Sequence, residues 1–429
     1  MKLFGKITVG DLRISIDLVL LLGIVITIPF HIAICNLFCI VSFFYGVYVY
    51  LFKEKKSKAK HWVFIIPFLF FTYIAVSGLL SNNLQKGLTE INKALLIGML
   101  PFILLMLYNK VNYLSKILVA FLLSTTLSTL LLLLVALTKY LSGSSLNQLI
   151  FHEFTRLYDQ HPVYFSLNIA LSTFILNQRF FKLPQKNRKE TLFFIVSTCI
   201  LLLGILFCAS KILIVLFLIL YGVQVFLTPM NNYVKAFLLG IFFLCNGLFI
   251  INTDLKLRFQ EVLDVSYLEF TPTIDITKAK VFSYDQKESI SDLELRYIIL
   301  KIALFHQVKD GKLLWGYGAG DAQGYLDYYY MTYGLAPNWY EGHNLHNQYA
   351  QVFFSYGIIL FVFFLVYLVL TANTLLKSNN LVAIFFLIMV LTAFLFESYL
   401  VRNKGIIFFF FFSSLFIVHS YLHKKLLSV

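Results

Sequence analysis

Arg296, the run Trp315-Gly316-Tyr317-Gly318-Ala319-Gly320 and the segment His343-Asn344-Leu345-His346-Asn347 gather ionisable and glycine-rich residues into one polar stretch of an otherwise strongly apolar chain. These residue types suit two tasks. A guanidinium offers a planar donor fork to phosphate oxygens, and an imidazole can take a proton from a hydroxyl near neutral pH. His343 and His346 are three apart and share a face if their segment is helical. A metal is the competing use of the pair, but its third ligand would have to come from Asp321, Glu341 or elsewhere, with no spacing to fix it. No metal site is therefore expected. The glycine run reads as tight turns or close backbone approach. No βαβ pattern surrounds it, so no nucleotide fold and no cofactor are expected.

Two further polar patches join this set. One holds His152, Glu153, Arg156, Asp159 and His161-Pro162; the other is Ser210-Lys211. Glu397 stands near Arg402 and is expected either to pair with it or to serve the site, because carboxylates at membrane depth are costly. Ser291-Asp292-Leu293-Glu294 has the form of a capping box and predicts a helix from about Asp292 to Val308. On that helix Arg296 shares a face with Ile299, Leu300 and Ala303, nearly opposite Glu294 and Lys301. The bland account of Arg296 is a snorkelling side chain; the functional one is an anion clamp.

The elements that must position these residues follow from composition. Hydrophobic residues make up 59% of the 429, charged ones 13%, and mean hydropathy is +0.81. A soluble globule is excluded, and an all-α polytopic membrane protein is expected. About twelve spans can be drawn, near 15–33, 36–52, 62–80, 94–109, 117–138, 161–178, 192–209, 212–228, 235–252, 347–372, 381–400 and 405–422. No small-residue cleavage site follows the first, which reads as an anchor.

Lys and Arg fix the expected orientation. Nineteen fall in the terminal segments and one set of connections, dominated by 53–60 and 179–189, against seven in the short connections of the other side. Both termini are thus expected in the cytoplasm, with one large loop, 253–346, outside, where ATP is scarce. That loop holds nine basic and thirteen acidic residues, so the net +14 is a topogenic signal rather than a nucleic-acid footprint. The five cysteines fall inside spans, which leaves a disulfide framework unsupported.

At Ser210-Lys211, at Arg296 followed by the Gly316-Tyr317-Gly318-Ala319-Gly320 run, and at His346-Asn347 followed by Gly357, the chain resembles the O-antigen ligase and polymerase superfamily of bacterial membrane glycosyltransferases. Arg156 with His161-Pro162 also resembles that family's arginine before its sixth span. Lysine at 211 replaces the family's arginine, and His343 adds a second histidine one turn early. The resemblance implies N-terminal spans over 1–149, a ligase-like catalytic region over 150–365 and C-terminal spans over 366–429. It also implies transfer of a glycan from undecaprenyl diphosphate at the periplasmic face of the bacterial inner membrane, without metal, with inversion at the anomeric carbon. The implied acceptor is lipid A-core; a second glycan, for a polymerase, or a protein hydroxyl are the alternatives. His346 and Arg296 would act on the reacting groups, with Arg156, Lys211, His343, Asn347, Gly318 and Gly320 binding substrate. From another class, a twelve-span transporter of lipid or polysaccharide fits the span count, but its ionisable groups would gather at mid-membrane.

Overall fold

The computed structural model describes residues 15–52, 62–183, 187–228, scattered positions between 235 and 247, and 269–427 apart from 276 and 278. Among the described residues all regular structure is helical. The apolar helices are α1 (Ile16–Thr27), α2 (Ile32–Phe52), α3 (Trp62–Leu79), α4 (Leu84–Leu107), α5 (Tyr113–Leu141), α6 (Pro162–Phe181), α7 (Arg188–Cys208) and α8 (Lys211–Leu227). After the polar α9 (Asp292–Lys309) and α10 (Ala322–Thr332) come α11 (Gln348–Leu376), α12 (Leu381–Phe396) and α13 (Asn403–Leu427).

Eleven of these fall on expected spans; the ninth, 235–252, lies largely outside the described residues. Among the described residues seven helices, α2, α3, α4, α5, α7, α11 and α13, are long and apolar enough to cross a membrane, and the chain is accordingly a membrane protein. Helices α1, α8 and α12 are shorter, at 12, 17 and 16 residues. Helix α4 begins ten residues before its expected start, because Asn83 accepts the Lys86 amide and caps a polar first turn. Pro162 at the first position, with His161 capping, starts α6; Asn187 and Glu190 close a capping box on α7.

Position in the bundle follows side-chain type. Helix α13 has 83% of its most apolar window buried, against 28% for α2. The α13 run Phe408-Ile417 packs its rings on Phe121, Phe386 and Phe394, which makes it a central helix. On α2, Leu37, Phe44 and Tyr48 remain exposed, as lipid-facing residues do.

The helices alternate in direction, so their connections sort to two ends. The C-terminal ends of α2 and α6 and the N-terminal ends of α3 and α7 share one end with 108–112 and 377–380; Arg179 Nη1 there donates to Ser115 Oγ (2.8 Å). At the other end lie 28–31, 80–83, 142–161, 209–210, 269–347 and 397–402, joined by contacts such as Lys404 Nζ to the Asp159 carbonyl (2.6 Å).

The 269–347 segment has its own core, in which Phe270, Phe282, Ile298, Ile302, Tyr330 and Tyr333 are buried between α9 and α10. Asp310 accepts hydrogen bonds from both Tyr317 Oη (2.7 Å) and Tyr329 Oη. Helix α11 breaks at Gly357 (φ 72°, ψ −173°), which frees backbone groups inside an apolar span. The glycine run supplies their partners. Tyr317 N–H donates to the Phe354 carbonyl (3.1 Å), Gly318 N–H to that of Ser355 (2.8 Å), and Ile358 N–H to that of Leu313 (2.9 Å). Such unwinding is tolerated at this depth only where other protein groups satisfy it.

The same run is fastened to the α3–α4 turn. Gly320 N–H donates to Ser81 Oγ (2.9 Å), and the Asp321 carboxylate accepts the Asn82 and Asn83 amides (2.8 and 2.9 Å). A Cβ at Gly320 would stand 2.5 Å from the Asn83 carbonyl and 2.7 Å from the Gly87 nitrogen, both backbone atoms unable to yield. Gly320→Val should therefore cost about 1–3 kcal/mol of stability. Thermal unfolding of the detergent-purified variant, with a lowered midpoint and reduced yield, checks this.

Candidate functional site

Five elements bring chemistry to one cavity of about 370 Å³ at the end of the bundle that carries the polar segment. Helix α6 contributes His161 at its N-cap, and α8 contributes Ser210 and Lys211 at its start. Helix α9 contributes Asp292 and Arg296 in its first turns, the loop before α11 contributes His343 and His346, and the C-terminal end of α12 contributes Glu397. Three helix N-termini thus line one cavity. Their dipole ends favour an anion there, as do Lys211 and Arg296.

The histidine pair does not lie on a helix. Asn347 caps α11, whose first residue is Gln348, so His343 and His346 precede it in loop conformation, and His346 has φ +45°. Their rings nonetheless lie 5.9 Å apart. His346 Nδ1 faces Glu397 Oε2 at 3.5 Å, which leaves Nε2 for a substrate. The expected alternative of a Glu397–Arg402 pair thus gives way to a carboxylate–imidazole pair. Glu397 is 8% exposed. Burial pushes its carboxyl up, but the hydrogen bond and charge of His346, helped by His161 and Arg296, outweigh it and hold the group below its ordinary range.

The surrounding amides fix this pair. Asn347 Nδ2 donates to the Leu395 carbonyl (3.1 Å), Gln348 Oε1 accepts the Leu400 amide (2.6 Å), and Ser398 Oγ donates to Gln351 Oε1 (3.4 Å). The start of α11 is thereby tied on both sides of Glu397. Asn347, expected to bind substrate, does not line the cavity; it caps α11 and bonds to α12.

His161 and His152 form a second pair of rings, 4.7 Å between centroids. Burial, opposed by Glu397 and assisted by His152, Arg402 and His346, lowers the His161 pKa to about 4. Its Nδ1 accepts the Val163 amide (3.4 Å), a bond that only an unprotonated nitrogen can make. The folded state therefore binds this proton more weakly than the unfolded chain. Stability is full above the ordinary histidine range and falls as pH drops from there to about 4. His161→Gln should lack this part of the acid sensitivity, as the difference between wild-type and variant unfolding midpoints across that window will show.

Lys211 Nζ lies 3.4 Å from Asp292 Oδ2, a pairing not anticipated from sequence because the two are 81 residues apart. Arg296 is half-buried and, among the described residues, forms no ion pair. Its face of α9 carries the buried Ile299 and Ala303 as expected, but Glu294, expected on the opposite polar face, is buried too, its capping-box bond to the Ser291 amide (3.2 Å) being turned inward.

The remaining residues lie elsewhere. Arg156 has a 75% exposed side chain paired with Glu153 (2.9 Å) and does not line the cavity. Gly318 and Gly320 stand at the α3–α4 turn and the α11 break, where they join elements rather than meet the cavity. His343 reaches the cavity, its carbonyl accepting from Gln323 Nε2 and Tyr330 Oη (3.2 Å each). Among the described residues no three His, Cys, Asp or Glu side chains converge as metal ligands. No family model matches the chain, and no curated protein matches it either.

Proposed function

We propose that the chain transfers a glycan from undecaprenyl diphosphate to an acceptor hydroxyl, with lipid A-core as the acceptor and the cavity facing the periplasm of a bacterial inner membrane. The observation that carries this reading is the meeting of a carboxylate-paired histidine with Arg296, Lys211 and three helix N-termini in one cavity at the bundle's end. A base and an anion clamp at membrane level are what such a transfer requires. The orientation is supported by the Lys-rich sequences that join α2 to α3 and α6 to α7, helices whose joined ends lie opposite the cavity.

In this scheme His346 Nε2 takes the proton of the acceptor hydroxyl as its oxygen bonds to the anomeric carbon. The bond from that carbon to the diphosphate oxygen breaks, its electron pair leaves with the lipid diphosphate, and direct displacement inverts the carbon. Glu397 holds the ring and stabilises the imidazolium. Arg296 and Lys211 meet the charge that grows on the leaving group.

Lipopolysaccharide from a strain deleted for the chain tests the reading by gel. Core without side chains supports ligation, core bearing a single repeat indicates polymerisation, and an unchanged ladder overturns both. Arg156→Ala separates the cavity from the motif. Because Arg156 is exposed and directed at Glu153, transfer in reconstituted vesicles should stay within a few-fold of wild type.

A further inference from the structure

Helix α9 is apolar on two opposite faces. One, including Ile298, Ile302 and Ala303, is buried in the second core. The other carries Leu293, Tyr297, Leu304 and Val308, which at helical spacing form a narrow stripe and are 40, 38, 38 and 55% exposed. The stripe continues past the helix into Leu313, Leu314 and Trp315, the last 61% exposed. A contiguous apolar surface of this kind on a charged segment calls for a partner.

Where α9 ends identifies that partner. Leu313 accepts the Ile358 amide, and Gly357 lies nine residues inside α11, about 14 Å from the helix start at 1.5 Å per residue. The C-terminal end of α9 therefore stands at the depth of the apolar spans, not above them. There Trp315 stacks on Tyr73 (6.4 Å, 14°) and lines a groove of about 510 Å³ with Leu69, Val76, Leu80 and Phe363. Val76 and Leu80 are 57 and 80% exposed on α3 and beyond its end, so the α9 stripe is continuous with the lipid-facing surface of the bundle. Lys301, its Nζ 5.3 Å from the Tyr297 ring, borders the stripe, and its long side chain can carry the ammonium up to the phosphate headgroups.

We infer that α9 is an interfacial helix whose outer stripe, with Trp315, is sunk in the lipid leaflet at this end of the bundle. The partner is the glycerophospholipid of that leaflet. The inference concerns the helix alone and stands apart from the transfer reaction.

The test uses the full chain in phosphatidylcholine vesicles with dibrominated acyl chains, without donor or acceptor. The chain has three tryptophans, so Trp62→Phe with Trp339→Phe reports on Trp315. Trp62→Phe with Trp315→Phe reports on Trp339, which packs against Tyr284 and Lys287 of the polar helix Tyr284–Ser289. Trp315 is expected to lose most of its emission to the brominated chains and Trp339 to keep most of its own. A Trp315 quenched by aqueous iodide instead, or shielded from both reagents as under another segment of the chain, overturns the inference. Where the tryptophan variants fold poorly, a nitroxide on Leu304→Cys, read against label-treated wild type, serves. Relaxation by oxygen above that by a water-soluble nickel chelate is expected, and the reverse order overturns it.

Discussion

His346→Ala is expected to lower glycan transfer in reconstituted vesicles by about 10²–10⁴-fold, the range for loss of a positioned general base. Membrane insertion and thermal unfolding should stay near wild type, since the ring lies in a cavity wall, meets only Glu397 and His343 there among the described residues, and belongs to neither core. The size of the effect rests on the Glu397 contact. A carboxylate on Nδ1 fixes which ring nitrogen faces the acceptor and stabilises the imidazolium formed on proton transfer. The 3.5 Å separation is long for a hydrogen bond, and catalytic contacts of this kind tighten in the reacting complex. Glu397→Gln should consequently also lose transfer, through kcat more than KM, because the neutral amide keeps the space but not the charge. His343, whose ring meets Tyr340 and His346 rather than a carboxylate, should lose less when changed to alanine. Equal losses at 343 and 346 would remove the argument for His346 as the base.

The membrane class, most of the helices and the α9 capping box were legible in the sequence, because each is a local property: an apolar run, a proline at a first turn, a serine three residues before a glutamate. The cavity was legible only in part. Its members were recognisable by type, but Lys211 with Asp292, and His346 with Glu397, are 81 and 51 residues apart, and no spacing rule joins residues across five elements. The helical reading of His343 and His346 failed because Asn347 is itself the cap, so the helix begins two residues after the second histidine. Gly318 and Gly320 were read for tight backbone approach and substrate. The approach is to the α3–α4 turn and to the opened backbone of α11, a partner invisible until Gly357 is seen to break its helix. Arg156, alike in type to Arg296, faces solvent and pairs with Glu153 outside the cavity.

Arg296→Ala is the second large expectation, a loss of about 10²–10³-fold in transfer, corresponding to ~3–4 kcal/mol for one donor aimed at developing charge in a water-poor site. Lys211 should matter less, because Asp292 already answers part of its charge at 3.4 Å, whereas Arg296 forms no ion pair among the described residues. A snorkelling arginine would give the opposite result: its stem would pack, its head would meet lipid, and alanine would affect stability while sparing transfer. The half-buried position beside Glu397, whose carboxyl it helps to hold down, argues against that role. Arg296→Lys separates the two further, since an ammonium keeps the charge but not the planar fork that engages two phosphate oxygens. Partial recovery of transfer by lysine, with KM near wild type and kcat still reduced, is the expected signature of a clamp on charge that grows as the diphosphate departs. Full recovery would reduce Arg296 to a point charge, and wild-type transfer by the alanine variant would remove it from the reaction.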